Sequence, residues 1–300
     1  MATAYVFPGQ GSQFVGMGAA LAAVRPVVKG YFQRADEVLG FSLSQLCWHG
    51  PEAELNDTLN TQPAIFTHSL AVFHMVQLSN EVEPPAYMAG HSLGELSALC
   101  AADALTFEDG LRLVRERGRL MKEAGELAPG SMAAVIGLDA ATLHAVCAQA
   151  SAEHTPGVVV ANDNAPGQIV ISGGKAAVAR ASELAKAAGA KRVIPLNVSI
   201  ASHSPLMECI RAAFSAAVER TPIRPARVPI IANTTAQPIT HPDDIRAELA
   251  AQLTAPVRWV ESVRFMHAQG VTRFVEMGPK DVLCGLIKRT LEGVEAWAIG

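Results

Sequence analysis

The residues whose types and spacing hold the most chemistry are Gly90-His91-Ser92-Leu93-Gly94, which follow the apolar Tyr87-Met88-Ala89 and open a helix-forming run. A serine between small residues at a strand-to-helix turn fits a nucleophile elbow. Such a turn is tight, so glycines must flank it, and it lifts the hydroxyl clear of the sheet. The next backbone N–H, that of Leu93, then lies at a helix N-terminus, where it can stabilise an oxyanion. The chemistry predicted is attack on a carbonyl; the plain alternative is a serine in a glycine turn. A serine hydroxyl is a poor nucleophile at neutral pH and needs a base within hydrogen-bond reach. Nine histidines are available. His144 and His267 fall in helical patterns, His68 and His74 on an apolar helix, and His49, His154 and His241 in polar loops. His91 adjoins the serine, and the elbow is expected to point the two side chains apart. His203, where an extended segment gives way to a helix at Pro205, is the best-placed general base, with an ordinary hydrogen-bonded loop histidine as the alternative.

An arginine joins this set by its position on a helix. Thr106, followed by Phe107-Glu108-Asp109, reads as an N-cap with acids in the first turn, and the helix runs to about residue 126. Leu113, Val114, Arg117, Leu120, Met121 and Ala124 share one face, while Arg112, Arg115, Glu116, Arg119, Lys122 and Glu123 cover the other. Arg117 therefore sits in the apolar stripe. A buried guanidinium keeps its proton and is costly without an anion. Its partner is either a protein carboxylate, with snorkelling as a variant of that reading, or a carboxylate of the substrate held by a two-pronged contact.

Stepping outward, 300 residues at 50% hydrophobic suffice for a large core. A net charge of −4 with interspersed acids and bases is not the footprint of a nucleic-acid binder. Five cysteines lie far apart with no Cys-x-x-Cys, which argues against a disulfide framework or a zinc site and fits a reducing cytoplasm. Met1-Ala2-Thr3 runs straight into a strand with no charged leader, and the apolar stretch 64–78 is too short to span a bilayer. The expectation is a soluble, cytoplasmic protein.

The pattern predicts a strand over 4–7, stopped by Pro8-Gly9-Gln10-Gly11, a loop whose backbone can approach a ligand closely. It is neither a Walker loop nor a dinucleotide fingerprint. Helices are predicted over 16–24, 27–39 and 64–78. From Pro129-Gly130 the order becomes strand 132–136, helix 139–150, strand 158–161, strand 168–172, helix 176–188 and strand 191–197, the βαββαβ of a ferredoxin-like unit. It reads as an insertion without a catalytic cluster of its own. A helix over 205–218, a strand over 228–232, helices over 242–252 and 257–269, a strand over 274–277, a helix over 281–291 and a strand over 296–299 complete the chain. Strands alternating with helices imply a parallel sheet covered on both faces.

Phe7-Pro8-Gly9-Gln10-Gly11-Ser12-Gln13, Gly90-His91-Ser92-Leu93-Gly94-Glu95, Arg117-Gly118-Arg119-Leu120-Met121, Gly167-Gln168-Ile169-Val170-Ile171-Ser172-Gly173, Ser202-His203 and Pro256-Val257-Arg258-Trp259 occur in that order. Together, over essentially the whole chain, they resemble the malonyl-CoA:acyl carrier protein transacylases of fatty-acid and polyketide synthesis. The resemblance implies an α/β fold: a hydrolase-like core with a parallel sheet, formed by 1–129 and 198–300, plus an inserted ferredoxin-like α+β subdomain over 130–197. It implies Ser92 as the acylated nucleophile, His203 as its base, and the backbone N–H groups of Gln10 and Leu93 as the oxyanion hole. Arg117 would bind the malonyl carboxylate, Met121 would line the acyl pocket, and the main-chain carbonyl of Gln252 would orient the histidine. Malonyl-CoA is the implied donor, a CoA thioester acting as substrate with no bound cofactor or metal, and a carrier protein with a phosphopantetheine arm is the acceptor. A monomer with no nucleic-acid or membrane partner is expected. Carrier proteins are usually acidic, so Lys186, Lys191 and Arg192 form a candidate dock, against the alternative of merely solvated charge. Family members often have Pro or Phe where this chain has Ala201-Ser202, which leaves open malonyl against a branched extender. Other settings also stay open: a freestanding loader of a polyketide line, a malonate-processing complex, a serine esterase or thioesterase, or a carrier-docking subunit that is no enzyme.

Overall fold

A computed structural model describes residues 2–79, 82–196, 198 and 200–300. From the N-terminus the elements are β1 (Ala2–Phe7), α1 (Ala19–Val24), α2 (Pro26–Leu39), α3 (Leu43–His49), α4 (Glu52–Leu55), α5 (Thr58–Ser79), β2 (Tyr87–Gly90), α6 (Leu93–Ala101) and α7 (Phe107–Leu127). Next come β3 (Gly130–Ile136), α8 (Ala140–Glu153), β4 (Val158–Ala165), β5 (Gln168–Gly174), α9 (Lys175–Ala187) and β6 (Arg192–Pro195). The last third holds α10 (Glu208–Arg220), β7 (Ile230–Ile231), β8 (Pro238–Ile239), α11 (Pro242–Gln252), α12 (Trp259–Ala268), β9 (Val271–Met277), α13 (Val282–Thr290) and β10 (Glu295–Ile299).

The larger sheet has the order β10-β9-β1-β2-β7-β8, parallel throughout except for the antiparallel edge strand β8. Residues of β1 alternate between two cores, as the two-residue strand period demands. Tyr5 and Phe7 pack with Phe32, Phe66 and Leu96 of α2, α5 and α6, whereas Ala4 and Val6 pack with Val263, Met266 and Ile287 of α12 and α13. The sheet is thus buried on both faces, which a parallel sheet requires.

The smaller sheet has the order β4-β5-β3-β6 with every pairing antiparallel, the ferredoxin-like arrangement. Alternation again assigns its faces. Ala133, Val135, Ile169 and Ile171 face α8 and α9, while Met132 and Val170 gather with Ala161 on the opposite face. Backbone bonds tie β4 to the other sheet's connections: Asp163 N–H donates to Val257 O at 3.0 Å and Val257 N–H to Ala161 O at 2.8 Å.

The sequence places a helix over 64–78, with residues 60–63 before it. The structure starts α5 at Thr58 and keeps Pro63 inside. Proline has no N–H for the Leu59 carbonyl; Arg115 Nη1 supplies one at 2.6 Å. Other boundaries shift with the local chemistry. The helix expected from Pro205 opens as a short 3-10 turn, Pro205–Met207, before α10. The strand expected over 228–232 pairs only at Ile230–Ile231. The strand expected over 191–197 ends at Pro195, and Asn197 lies outside the described residues. Helices α3 and α4 and strand β8 carry no signal in the sequence reading.

Candidate active site

The elbow is built as its glycines foretell. A Cβ on Gly90 would fall 1.9 Å from the carbonyl of Gly94, and one on Gly94 would fall 2.0 Å from Phe7 O. Neither position admits a side chain. Between them Ser92 caps α6 at φ 52°, ψ −105°, a strained conformation for a non-glycine residue. The loop after β1 presses on the same turn: a Cβ on Gly9 would fall 2.5 Å from His91 O. The close approach that Gly9 permits is to the elbow; the expected approach to a ligand is a separate matter.

Ser92 Oγ lies 2.8 Å from His203 Nε2. The other ring nitrogen, Nδ1, lies 2.9 Å from Gln252 O and 3.0 Å from Ala255 O. Carbonyls only accept, so Nδ1 carries the proton and Nε2 presents its lone pair to the serine hydroxyl. Gln252 ends α11, where a helix leaves carbonyls unsatisfied; here one serves to orient the imidazole. His203 has φ 57°, and its own N–H donates to Leu253 O at 3.1 Å, so backbone and ring are both fixed from the α11 terminus. Burial, then the positive Arg117 and the neighbouring His91, bring its pKa down to about 3, against weaker support from the two carbonyls. The imidazole is therefore neutral and able to accept a proton.

Arg117 is almost wholly buried. Its Nη1 donates to Gln62 Oε1 at 2.9 Å, and its Nη2 donates to Gln252 Oε1 at 2.9 Å and to Ser92 Oγ at 3.0 Å. Arg117 Nε has no partner, and no ion pair holds this guanidinium among the described residues. Burial lowers its pKa to about 10, with Glu95 opposing the shift; the group stays charged at neutral pH. A protein salt bridge, one of the two readings left open for Arg117, is not what the geometry offers.

Met121, one turn on, accepts from Gln62 Nε2 at its Sδ, 3.3 Å away. Gln10 and Leu93 border the same space, a cavity of about 290 Å³ lined also by Ser92, His203 and Arg117. The ferredoxin-like sheet roofs it with Met132, Ala134, Asn162, Asn164, Gln168 and Val170. His91 turns to that roof, its Nε2 2.7 Å from Asn164 Oδ1 and its ring 5.7 Å from that of Trp259. The candidates for the catalytic site (Ser92, His203, Gln10, Leu93, Arg117, Met121 and Gln252) thus meet in one place.

Four contributors were not read from the sequence. Gln62 holds Arg117 from α5 but lies in the stretch 60–63 expected to precede that helix. Ala255 O is a second carbonyl on the histidine. Asn233 accepts the Ser92 N–H at Oδ1, 2.7 Å, and donates from Nδ2 to Gly90 O, 2.7 Å, bracing the elbow. Glu95 is fully buried; its Oε1 accepts from Asn233 N at 3.0 Å and its Oε2 from Gln252 Nε2. Burial, then Glu248, raise its pKa well above the usual carboxylate range, while those hydrogen bonds and Arg117 favour the charged form. Glu95 stands in the elbow motif itself, the one signal that would have drawn attention to it. Among the described residues no cluster of His, Cys, Asp and Glu is placed to hold a metal.

The class of protein follows from comparison: residues 4–299 match the acyl transferase domain family. Within it, the chain is 45% identical over 296 residues to the malonyl CoA-acyl carrier protein transacylase of Escherichia coli K12, covering 99% of this chain and 95% of that one. It is equally identical over 296 residues to the Bacillus subtilis enzyme of that name, covering 99% and 92%. The chain belongs to the malonyl CoA-acyl carrier protein transacylase family. A crystal structure of an acyl carrier protein S-malonyltransferase from Vibrio cholerae superposes with a TM-score of 0.96 at 43% identity, covering 100% of this chain and 97% of that one. A malonyl-transacylase solved in complex with a type II PKS acyl-carrier protein gives 0.95 at 42% identity, covering 100% and 96%.

Proposed function

We propose that this acyltransferase moves a malonyl group from malonyl-CoA to the phosphopantetheine thiol of an acyl carrier protein through an ester on Ser92. The observation that carries the reading is the position of one hydroxyl between a neutral imidazole and an unpaired guanidinium. His203 Nε2 takes the Ser92 proton as the oxygen attacks the thioester carbonyl. The oxyanion is met by the N–H groups of Gln10 and Leu93, the C–S bond breaks, and His203 returns the proton to the departing CoA sulfur. The carrier thiol then gives its proton to His203 and attacks the ester, and the proton ends on Ser92. Kinetics are ping-pong. Arg117 receives the second carboxylate, which acetyl lacks, and a cavity of this size suits a short acyl chain beside Met121. A simple esterase or thioesterase has no use for a buried arginine at the nucleophile.

The chemistry calls for no bound cofactor or metal, and this reading takes the monomer as the working unit. Five unpaired cysteines favour a reducing cytoplasm. No helix among the described residues is long and apolar enough to cross a membrane. Residues 130–197 form a small subdomain inserted into the catalytic domain of 1–129 and 198–300. The carrier docks on its basic edge: Lys186, Lys191 and Arg192 are exposed, and Lys191 with Arg289 borders a depression that adjoins Gln168 at the cavity wall. The test is mass spectrometry of the enzyme with malonyl-CoA and no acceptor, followed by transfer assays with malonyl- and methylmalonyl-CoA into carrier protein or water. A malonyl adduct on Ser92, lost in Ser92→Ala and discharged by the carrier, is the expected result. Turnover without an adduct, or discharge to water alone, would refute the reading.

A further inference from the structure

We propose that Glu95 is a positioning residue for acyl-group selection: its buried carboxylate, one amide away from Arg117, fixes Gln252 so that the guanidinium is held without being paired. The geometry supplies each link. Glu95 offers two acceptor oxygens to two different donors, the backbone N–H of Asn233 at 3.0 Å and the side-chain amide of Gln252. Both Glu95 oxygens accept here, and the Ser92 carbonyl can only accept, so the NH₂ end of Gln252 faces them. The carbonyl end must then face Arg117, where it accepts from Nη2 at 2.9 Å. The same NH₂ group donates to Ser92 O at 3.0 Å, so the amide is held at both ends. Glu95 and Ser92 O together hold the NH₂ end away from Arg117; without the carboxyl group that end keeps one anchor of its two, and its reverse orientation would set a donor against the guanidinium.

The distance of the carboxyl group from Arg117 matters too. A carboxylate in direct contact with Arg117 would compete with an acyl carboxylate for the same fork. Glu95, one amide away, holds the guanidinium's amide partner in place and leaves that fork open. Through Asn233 the same residue also braces the elbow, since Asn233 Oδ1 accepts the Ser92 N–H. That second path is purely structural, and the test must separate the two.

This inference rests on the reading that Arg117 receives the malonyl carboxylate. Glu95→Gln leaves one acceptor for two donors. The expected result is a fall in kcat/KM for malonyl-CoA of about 10- to 100-fold, the size of losing a hydrogen bond to a charged group, mostly through KM, with acetyl transfer little changed. The swap E95Q/Q252E satisfies the Asn233 N–H and Arg117 again but puts the carboxylate on the guanidinium and takes the donor from Ser92 O. It should recover part of the lost thermal stability while its malonyl-to-acetyl ratio stays low, and it gives the same test should Glu95→Gln not fold. Equal losses for malonyl and acetyl in Glu95→Gln, or a swap with the wild-type ratio, would overturn the proposal. Arg117→Ala run beside them tells the two readings apart: if it too loses both donors equally, the function of Arg117 is wrong; if it alone is malonyl-selective, only Glu95 is.

Discussion

Arg117 Nη2 donates to Ser92 Oγ at 3.0 Å. The group proposed to hold the substrate's far carboxylate is thus already in contact with the oxygen proposed to attack its thioester. On the proposed reading one guanidinium contacts both the acyl group's carboxylate and the attacking oxygen, so an acyl group that satisfies it is brought to the nucleophile in one orientation, which is where much of the advantage of a bound reaction lies.

Replacing Arg117 by alanine should therefore discriminate between donors. Malonyl transfer is expected to fall steeply, by the roughly 2–5 kcal/mol typical of removing one partner of a buried charge pair. Acetyl transfer should be equal or improved, since the alanine leaves no unpaired guanidinium beside an acyl group that cannot answer it. Rates with malonyl- and acetyl-CoA on the same preparation decide it; a loss equal for both would remove Arg117 from selection.

The acid limb of the pH profile should report His203. Its pKa is depressed to about 3, first by burial and then by Arg117, so the base stays neutral well below the pH where an ordinary histidine titrates. Malonyl transfer by kcat/KM is expected to hold through mildly acidic pH without a break near 6.5. In Arg117→Ala the cation is gone, the imidazolium is less disfavoured, and the limb should move to higher pH. An unmoved or lower limb in that variant would contradict the electrostatic coupling.

Stability should carry the same sign at another histidine. His68 is buried among the α5 side chains, and desolvation lowers its pKa to about 4. Between about 4 and 6.5 the unfolded chain binds a proton that the folded one refuses, so His68 costs no stability above 6.5 and up to roughly 3 kcal/mol as pH falls through that window. The loss is complete at the folded pKa. Thermal midpoints from pH 7 to 4 should fall less steeply in His68→Gln than in wild type; parallel curves would dismiss the effect.

The sequence was most legible where local geometry forces residue type. Gly90 and Gly94 are glycines because backbone atoms occupy the space of any Cβ, so the elbow could be read from five letters. The cap of α7 was equally local: Thr106 Oγ1 accepts the Asp109 N–H at 3.1 Å, as its spacing foretold. Arg117 was legible as an anomaly, a charge in an apolar stripe, but its partners were not. Gln62 and Gln252 come from helices far apart in the chain, and no periodicity reports which amide a guanidinium will meet. Pro63 misled for a related reason. A proline normally marks a helix start, and only the tertiary contact of Arg115 with Leu59 O lets α5 continue through it.

Two glycine substitutions should separate required from incidental glycines. Gly94→Ala puts a Cβ 2.0 Å from Phe7 O, a backbone atom that cannot yield without moving β1; loss of soluble protein or of Ser92 acylation is expected. Gly30 lies in α2 with nothing within 4 Å of a Cβ and no positive φ. Gly30→Ala should stabilise by about 0.4–1 kcal/mol by restricting the unfolded chain. Calorimetry of both tests the contrast; a tolerated Gly94→Ala would mean that the elbow and β1 yield to a side chain after all.

Carrier docking should be sensitive to charge on the basic edge and acylation should not. Lys191 and Arg192 are exposed beside β6, away from Ser92 and its partners, so reversing both to glutamate leaves the first half-reaction intact. Formation of the Ser92 adduct from malonyl-CoA is expected at the wild-type rate, as is discharge to free pantetheine. Discharge to an acidic carrier should slow, chiefly through KM, and the wild-type rate should itself fall as salt screens the attraction over a Debye length of ~8–10 Å. If carrier and free pantetheine discharge the adduct with unchanged kinetics in the reversed variant, these two side chains are solvated charge and the carrier approaches over another face.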